Sequence, residues 1–157
     1  MLERIAYVPN ISYFYDTSKY WSTYSLVRDR IGNGTGTACT SLTNFYYHSF
    51  NLKELDISEF YTPNVTSLGA TFYYCYNLKE INISHWNLNK VTNFSSTFYW
   101  CHQIKELNFS TEFSNNITTL NTTFYQCRSL EHIYGLDNIS TNNVTNLGNT
   151  FYGCRNL

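Results

Sequence analysis

Apolar and polar side chains alternate in the stretch LKELDIS, which covers residues 52–58. Leu55 and Ile57 are separated by Asp56 and flanked by Glu54 and a serine. A period of two is typical of a short strand that buries one face. The stretch therefore predicts a strand, and related stretches recur further along the chain.

A different pattern follows in VTSLGATFYYC, which covers residues 65–75. Leu68, Phe72 and Cys75 recur at positions i, i+4 and i+7, a spacing that predicts one face of a short helix. Thr66 stands just before this helix, where a hydroxyl can cap the free N–H groups of a first turn. Equivalent threonines precede the later copies: Thr92, Thr118 and Thr145.

Both patterns repeat at a nearly fixed interval. Cys75, Cys101 and Cys127 are spaced by 26 residues, and Cys154 follows after 27. Self-similarity at such a period indicates a solenoid in which neighbouring units stack to bury a common core. The predicted fold is an α/β solenoid: a right-handed stack of leucine-rich-repeat coils with a short parallel sheet on one side and short helices on the other.

The repeat also sets the predicted organisation of the chain. Degenerate copies in residues 1–51 predict an N-terminal cap, and residues 52–157 hold four repeats and the start of a fifth at Leu157. The repeats are 52–77, 78–103, 104–129 and 130–156. In each repeat we expect one buried set, which in the first is Leu55, Ile57, Val65, Leu68, Phe72, Cys75 and Leu78.

The unit LKELDISEFYTPNVTSLGATFYYCYN resembles the repeat of BspA-like leucine-rich-repeat surface proteins of bacteria, mycoplasmas and phages. The resemblance covers residues 52–157, with matches at LDIS (55–58), NVT (64–66) and the TFYYC segment. Threonine stands where that family usually has Met, as at Thr71. The unit 104–129 departs from the family repeat at NFSTEFSNN. The resemblance implies a non-enzymatic surface for binding or adhesion.

Composition narrows the possible partners. Charged residues make up 13% of the chain and the formal net charge is −1, so no electrostatic footprint for nucleic acid is present. The sequence has no run of 18 apolar residues that could span a bilayer. It begins without the apolar segment of a signal peptide. Aromatic residues reach 18%, and the uncharged polar surface suits a cell-surface, extracellular or virion-exposed location.

The recurring cysteines are interpreted as core residues. A disulfide requires two Cα atoms within about 7 Å, and a linear row does not bring metal ligands to one point. A free cysteine behaves as a small buried hydrophobe. This structural ladder comprises Cys75, Cys101, Cys127 and Cys154, together with Phe72, Phe98, Phe124 and Phe151. Cys39, which lies upstream, is interpreted in the same way.

Acidic residues form a second row, on the predicted strands. Glu54, Glu80 and Glu106 recur at the repeat period, and stacked carboxylates could hold a hard cation such as calcium. A lysine precedes each of them and can neutralise it, which favours a solvated ladder of charges. We therefore predict no metal and no cofactor.

The aromatic residues give the main candidate for binding. A tyrosine follows each buried Phe directly, so a helix would turn it away from the core. Such side chains suit protein hot spots and can stack on sugar rings, although the simpler interpretation is that they fill the groove between neighbouring units. The candidate strip comprises Tyr73, Tyr74, Tyr99, Trp100, Tyr125 and Tyr152.

Nothing in the sequence indicates an enzyme. His48, His85, His102 and His132 do not share one repeat position, and no nucleophile set or phosphate-binding loop appears. The favoured hypothesis is a recognition or adhesion module that binds a protein or a glycan. The alternative is a structural component of a virion, such as a fibre, tail or decoration domain. We also expect another chain, further sequence or a homo-oligomer to cover residues 150–157.

Overall fold

The computed structural model describes residues 40–53, 55, 57 and 62–157. Three short strands follow one another along this part of the chain: β1 (Glu80–Ile83), β2 (Glu106–Phe109) and β3 (His132–Tyr134). They form one parallel sheet in the order β1-β2-β3. Among the described residues the only helix is a 3-10 turn at Leu136–Asn138.

Some sequence-based predictions fall outside these residues. They are the first 39 residues of the cap predicted over 1–51, the interpretation of Cys39, and the strand positions of Glu54 and Asp56. The right-handed sense of the stack and the domain boundary at residue 51 stay predictions.

The strands pair in the register of the repeat. Glu80 lies beside Glu106, and Glu106 lies beside His132, so each pair joins residues 26 apart in the sequence. A second row of parallel contacts joins other equivalent positions: Ser41, Ser67, Asn93, Thr119 and Asn146. Successive units therefore lie side by side, with equivalent residues in contact.

The buried set of the first repeat points into one core. Leu55 is half-buried and the other six members are buried, with five of them at 0% exposure. The last repeat is more open, because Leu147 and Phe151 are 53% and 43% exposed. Burial on this scale is the main source of stability for the stack, since each buried aliphatic or Phe side chain contributes roughly 1.5–3 kcal/mol.

The recurring phenylalanines form one internal column. Ring centroids are 5.3 Å apart between Phe72 and Phe98, 5.8 Å between Phe98 and Phe124, and 5.3 Å between Phe124 and Phe151. The rings are nearly parallel, with interplanar angles of 11°, 6° and 13°. Tyr46 extends the column by stacking on Phe72 at 5.4 Å.

The segments predicted as helices are successions of turns. In 65–75 the N–H groups of Thr71 and Cys75 donate to carbonyls three residues earlier, at 3.1 Å in both cases. The N–H groups of alternate residues donate to carbonyls of the next repeat. Leu68 donates to the Asn93 carbonyl at 2.9 Å and Phe72 to the Thr97 carbonyl at 2.8 Å. An α-helix would direct every N–H along its own axis, so these segments cannot be helical.

Left-handed residues explain how the backbone turns so tightly. Ala70 and Tyr74 have φ values of 53° and 60°, and the equivalent residues of the other repeats share this conformation. Each such residue costs an L-amino acid roughly 1–2 kcal/mol. The hydrogen bonds between units offset this cost in every repeat.

The threonines predicted as helix caps have a different role. The hydroxyl and the backbone N–H of Thr66 both donate to the Thr40 carbonyl, at 3.0 and 2.9 Å. Thr92, Thr118 and Thr145 repeat this arrangement, each toward the equivalent threonine of the preceding unit. They join neighbouring units and do not cap a helix.

Candidate functional site

The tyrosines that directly follow the aromatic residues of the internal column form a continuous stack. Neighbouring rings are 4.8, 4.6, 4.7 and 5.0 Å apart, and no interplanar angle exceeds 13°. The stack comprises Tyr47, Tyr73, Tyr99, Tyr125 and Tyr152. Because each inner ring is covered on both faces by its neighbours, the stack can offer a ligand ring edges and hydroxyl groups.

A second group of aromatic rings lies beside the stack. Tyr74 contacts Tyr73 edge to face at 4.6 Å, and its centroid is 5.8 Å from that of Trp100. Tyr76 packs edge to face on Trp100 at 5.9 Å. We call the tyrosine stack and this group together the aromatic face, which comprises Tyr47, Tyr73, Tyr74, Tyr76, Tyr99, Trp100, His102, Tyr125 and Tyr152.

Trp100 occupies the centre of the second group. The ring of His102 stacks on it at 4.5 Å with an angle of 21°. The guanidinium carbon of Arg128 lies 5.5 Å from its ring centroid, within the range of a cation–π contact. Arg128 is held by a hydrogen bond from its Nε to Gln126 Oε1 at 2.8 Å. The positive charge of Arg128 is therefore held in one position beside Trp100.

Two histidines, His102 in the aromatic face and His48 next to it, lie in surroundings that favour the neutral ring. Within the described residues, the Nε2 atoms of His48 and His102 are buried and have no hydrogen-bond partner. Burial lowers the pKa of His48. Burial, followed by the charge of Arg128, lowers the pKa of His102. Protonation of either ring would leave an unpaired N–H group in an aromatic environment.

Backbone conformation also shapes the face. Tyr74, Trp100 and Gln126 have φ values of 60°, 61° and 59°, and His48 shares this left-handed geometry. In the last repeat the equivalent residue is Gly153, at 79°. Bulky side chains thus occupy positions where glycine would be least strained. Since the fold imposes positive φ at this position in every repeat, the strain by itself does not mark a binding site.

The cysteine column is part of the interior. Cys75, Cys101 and Cys127 are fully buried free thiols, and Cys154 is half-buried. The Sγ atom of each contacts a backbone carbonyl of the preceding unit, for example Cys101 with Phe72 at 3.1 Å. Burial raises the pKa of all four thiols. This environment keeps them protonated and unsuited to nucleophilic chemistry.

A second interior column was not predicted from the sequence. The buried hydroxyl of Thr97 lies 2.7 Å from the Phe94 carbonyl in its own unit and 2.9 Å from the Leu68 carbonyl in the preceding unit. Thr71, Thr123 and Thr150 make the same pair of contacts. A signal for it exists in the sequence, because a threonine precedes each Phe of the internal column, but a repeated threonine does not by itself identify its hydrogen-bond partners.

The outer surface of the sheet carries the row of charges. Glu80 and Glu106 are exposed neighbours, and His132 continues their row on β3. Lys105 contacts Glu131 at 3.6 Å across the exposed surface. In the described part of the chain, no three His, Cys, Asp or Glu residues cluster in a way that could hold a metal ion. The same residues contain no helix that is long and apolar enough to cross a membrane.

Stacked 26-residue units with ladders of identical side chains define a repeat protein. Residues 40–157 match the family described as Mycoplasma protein of unknown function, DUF285, and the chain belongs to that family. No curated protein and no solved structure matches the chain.

Proposed function

We propose that the chain is a non-enzymatic recognition module of the BspA-like leucine-rich-repeat type, and that its aromatic face binds a partner protein. The observation that carries this proposal is the concentration of partly exposed Tyr, Trp and His rings that contact one another on one surface of the described residues. Tyrosine and tryptophan are enriched among residues that dominate binding energy at protein interfaces.

The packing of the rings favours a protein over a glycan at this face. Sugars stack on an open aromatic face, but the inner tyrosines of the stack are covered on both faces. Trp100 is likewise contacted by His102 and Arg128. Ring edges and tyrosine hydroxyls remain, and these groups suit the backbone and side-chain hydrogen bonds of a protein surface. The alternative, a structural component of a virion, stays a prediction. None of the contacts described above favours it.

Binding to intact cells tests the proposal. The fluorescently labelled chain should bind saturably to cultured animal epithelial cells, and protease treatment of the cells should remove this binding. The double variant Tyr99→Ala, Trp100→Ala should bind at least about tenfold more weakly, since loss of one hot-spot residue costs about 2 kcal/mol or more.

Tyr134→Ala is the matched control. Tyr134 is 49% exposed on β3, away from the aromatic face, so its loss should leave binding unchanged. A folded double variant that binds as well as the control would contradict the proposal. So would binding that survives protease and is removed by glycosidases, because the ligand would then be a glycan.

A further inference from the structure

A polar depression lies between two neighbouring units, at the turns that follow β1 and β2. Its volume is about 430 Å³, and it is lined by Ser84, His85, Trp86, Asn87, Ser110, Thr111 and Glu112. This volume falls within the usual range for small-molecule sites. None of the lining residues belongs to the aromatic face.

The depression arises from a local shift in the register of the repeat. Ile83 pairs with Phe109, but the next contact joins Leu88 to Phe113. The four residues 84–87 therefore separate the two contacts in one unit, whereas the three residues 110–112 separate them in the next. Because the shorter turn cannot cover the longer one completely, a concave surface remains between them.

Several polar groups that line the depression have hydrogen-bond donors or acceptors available for a ligand. Within the described residues, the hydroxyls of Ser84 and Thr111 make no hydrogen bond. Ser110 Oγ accepts from the Glu112 N–H at 3.0 Å and retains its own proton for donation. Glu112 Oε2 accepts from Asn89 Nδ2 at 3.4 Å, which leaves its other oxygen for a ligand. The site thus combines several neutral hydroxyls with one carboxylate.

These groups select the chemistry of the ligand. An anion is disfavoured, because the described residues of the lining include no lysine or arginine and the carboxylate of Glu112 would repel negative charge. An apolar ligand is disfavoured as well, since the main apolar side chain, Trp86, is only 2% exposed. A carboxylate oxygen beside hydroxyl and amide groups matches the vicinal hydroxyls of a sugar ring.

We propose that the depression between the turns 84–87 and 110–112 binds one sugar residue, with Glu112 and Thr111 as its main polar contacts. This site is separate from the aromatic face and goes beyond the protein-binding function proposed above. The depression would give the module a second binding specificity, for a glycan that is attached to the partner protein or lies beside that protein.

The test is a titration of the isotope-labelled chain followed by amide chemical shifts. The probes are the methyl glycosides of glucose, galactose, mannose and N-acetylglucosamine, with calcium chloride titrated separately. At least one glycoside should shift the amides of Ser84, Asn87 and Thr111 saturably. Glu112→Gln should weaken this binding about tenfold, as expected for loss of a hydrogen bond to a charged group.

Two controls make the outcome decisive. Glu106→Gln removes an exposed carboxylate from β2, outside the depression, and should leave sugar binding unchanged. The double variant Tyr99→Ala, Trp100→Ala should also retain it, which separates this proposal from the one about the aromatic face. The inference is overturned if no glycoside shifts these amides, if calcium alone does so, or if both glutamate variants bind equally.

Discussion

Single threonine hydroxyls join the units through the interior of the molecule. Each buried hydroxyl, such as that of Thr97, lies near one carbonyl of its own unit and one of the preceding unit. A hydrophobic residue at this position could fill the space but could not donate to either oxygen. Both carbonyls also accept a backbone N–H, for example that of Phe94 from Thr97 at 3.2 Å, so the hydroxyl adds a hydrogen bond that an apolar residue of the same size would lack.

Thr97→Val tests this role. The substitution keeps the shape of the side chain and removes its hydroxyl, so the free energy of unfolding should fall by about 1 kcal/mol. Urea unfolding would measure the change. Thr118→Val is the control, since the hydroxyl of Thr118 is exposed and its removal should change stability by less than about 0.5 kcal/mol. Equal losses in the two variants would show that the buried hydroxyl has no special role.

His102 should make stability depend on pH. In the folded state its pKa is lowered from the ordinary histidine value of about 6.5, so below about pH 6.5 the unfolded chain binds the proton more readily. Stability should therefore be complete above pH 6.5 and should decrease as the pH falls toward the folded pKa. His48, whose pKa is also lowered, acts in the same direction.

The variant His102→Phe should reduce this dependence. Its melting temperature should decrease less than that of the original chain between pH 7 and pH 5, because Phe cannot be protonated beside Arg128 and Trp100. Phe50 already occupies the equivalent position of an earlier repeat. His132→Gln, which alters an exposed histidine on β3, is the control. Identical pH profiles for His102→Phe and the original chain would exclude His102 as the cause.

At the scale of elements, one sequence pattern is compatible with two conformations. The spacing of Leu68, Phe72 and Cys75 correctly indicated which side chains are buried, but the backbone that buries them is a series of turns. Periodicity describes where side chains point. It does not say whether an N–H group donates within its own unit or to the next one. The alternate hydrogen bonds between units could not be predicted from one repeat considered alone.

The phenylalanine column is the element on which the stack depends most. Phe98 lies between Phe72 and Phe124 and also contacts the edge of Phe109 at 6.0 Å. Phe98→Ala should therefore lower the free energy of unfolding by about 3–5 kcal/mol. Phe151→Ala, at a ring that is 43% exposed, should cost less than half as much. A thermal melt unaffected by Phe98→Ala would contradict this packing.

On the scale of the whole molecule, the repeat determines both the interior and the aromatic face. The Cys and Phe columns and the tyrosine stack follow from a spacing that is visible in the sequence. The polar depression does not, because the shift that creates it begins after Ile83 and is reversed before Asn93 pairs with Thr119. The interval from Cys75 to Cys101 and from Cys101 to Cys127 stays at 26 residues, so the repeat period conceals the local difference in turn length.

The stacked fold and both proposed binding surfaces depend on contact between equivalent residues of successive units. Nuclear Overhauser effects between selectively labelled phenylalanine rings measure this directly, with each signal assigned by a single Phe→Leu variant. We expect strong contacts between Phe72 and Phe98 and between Phe98 and Phe124, and much weaker ones between Phe72 and Phe124. Rings without contacts between neighbouring repeats, each in an unrelated environment, would contradict the stacked arrangement and the binding surfaces derived from it.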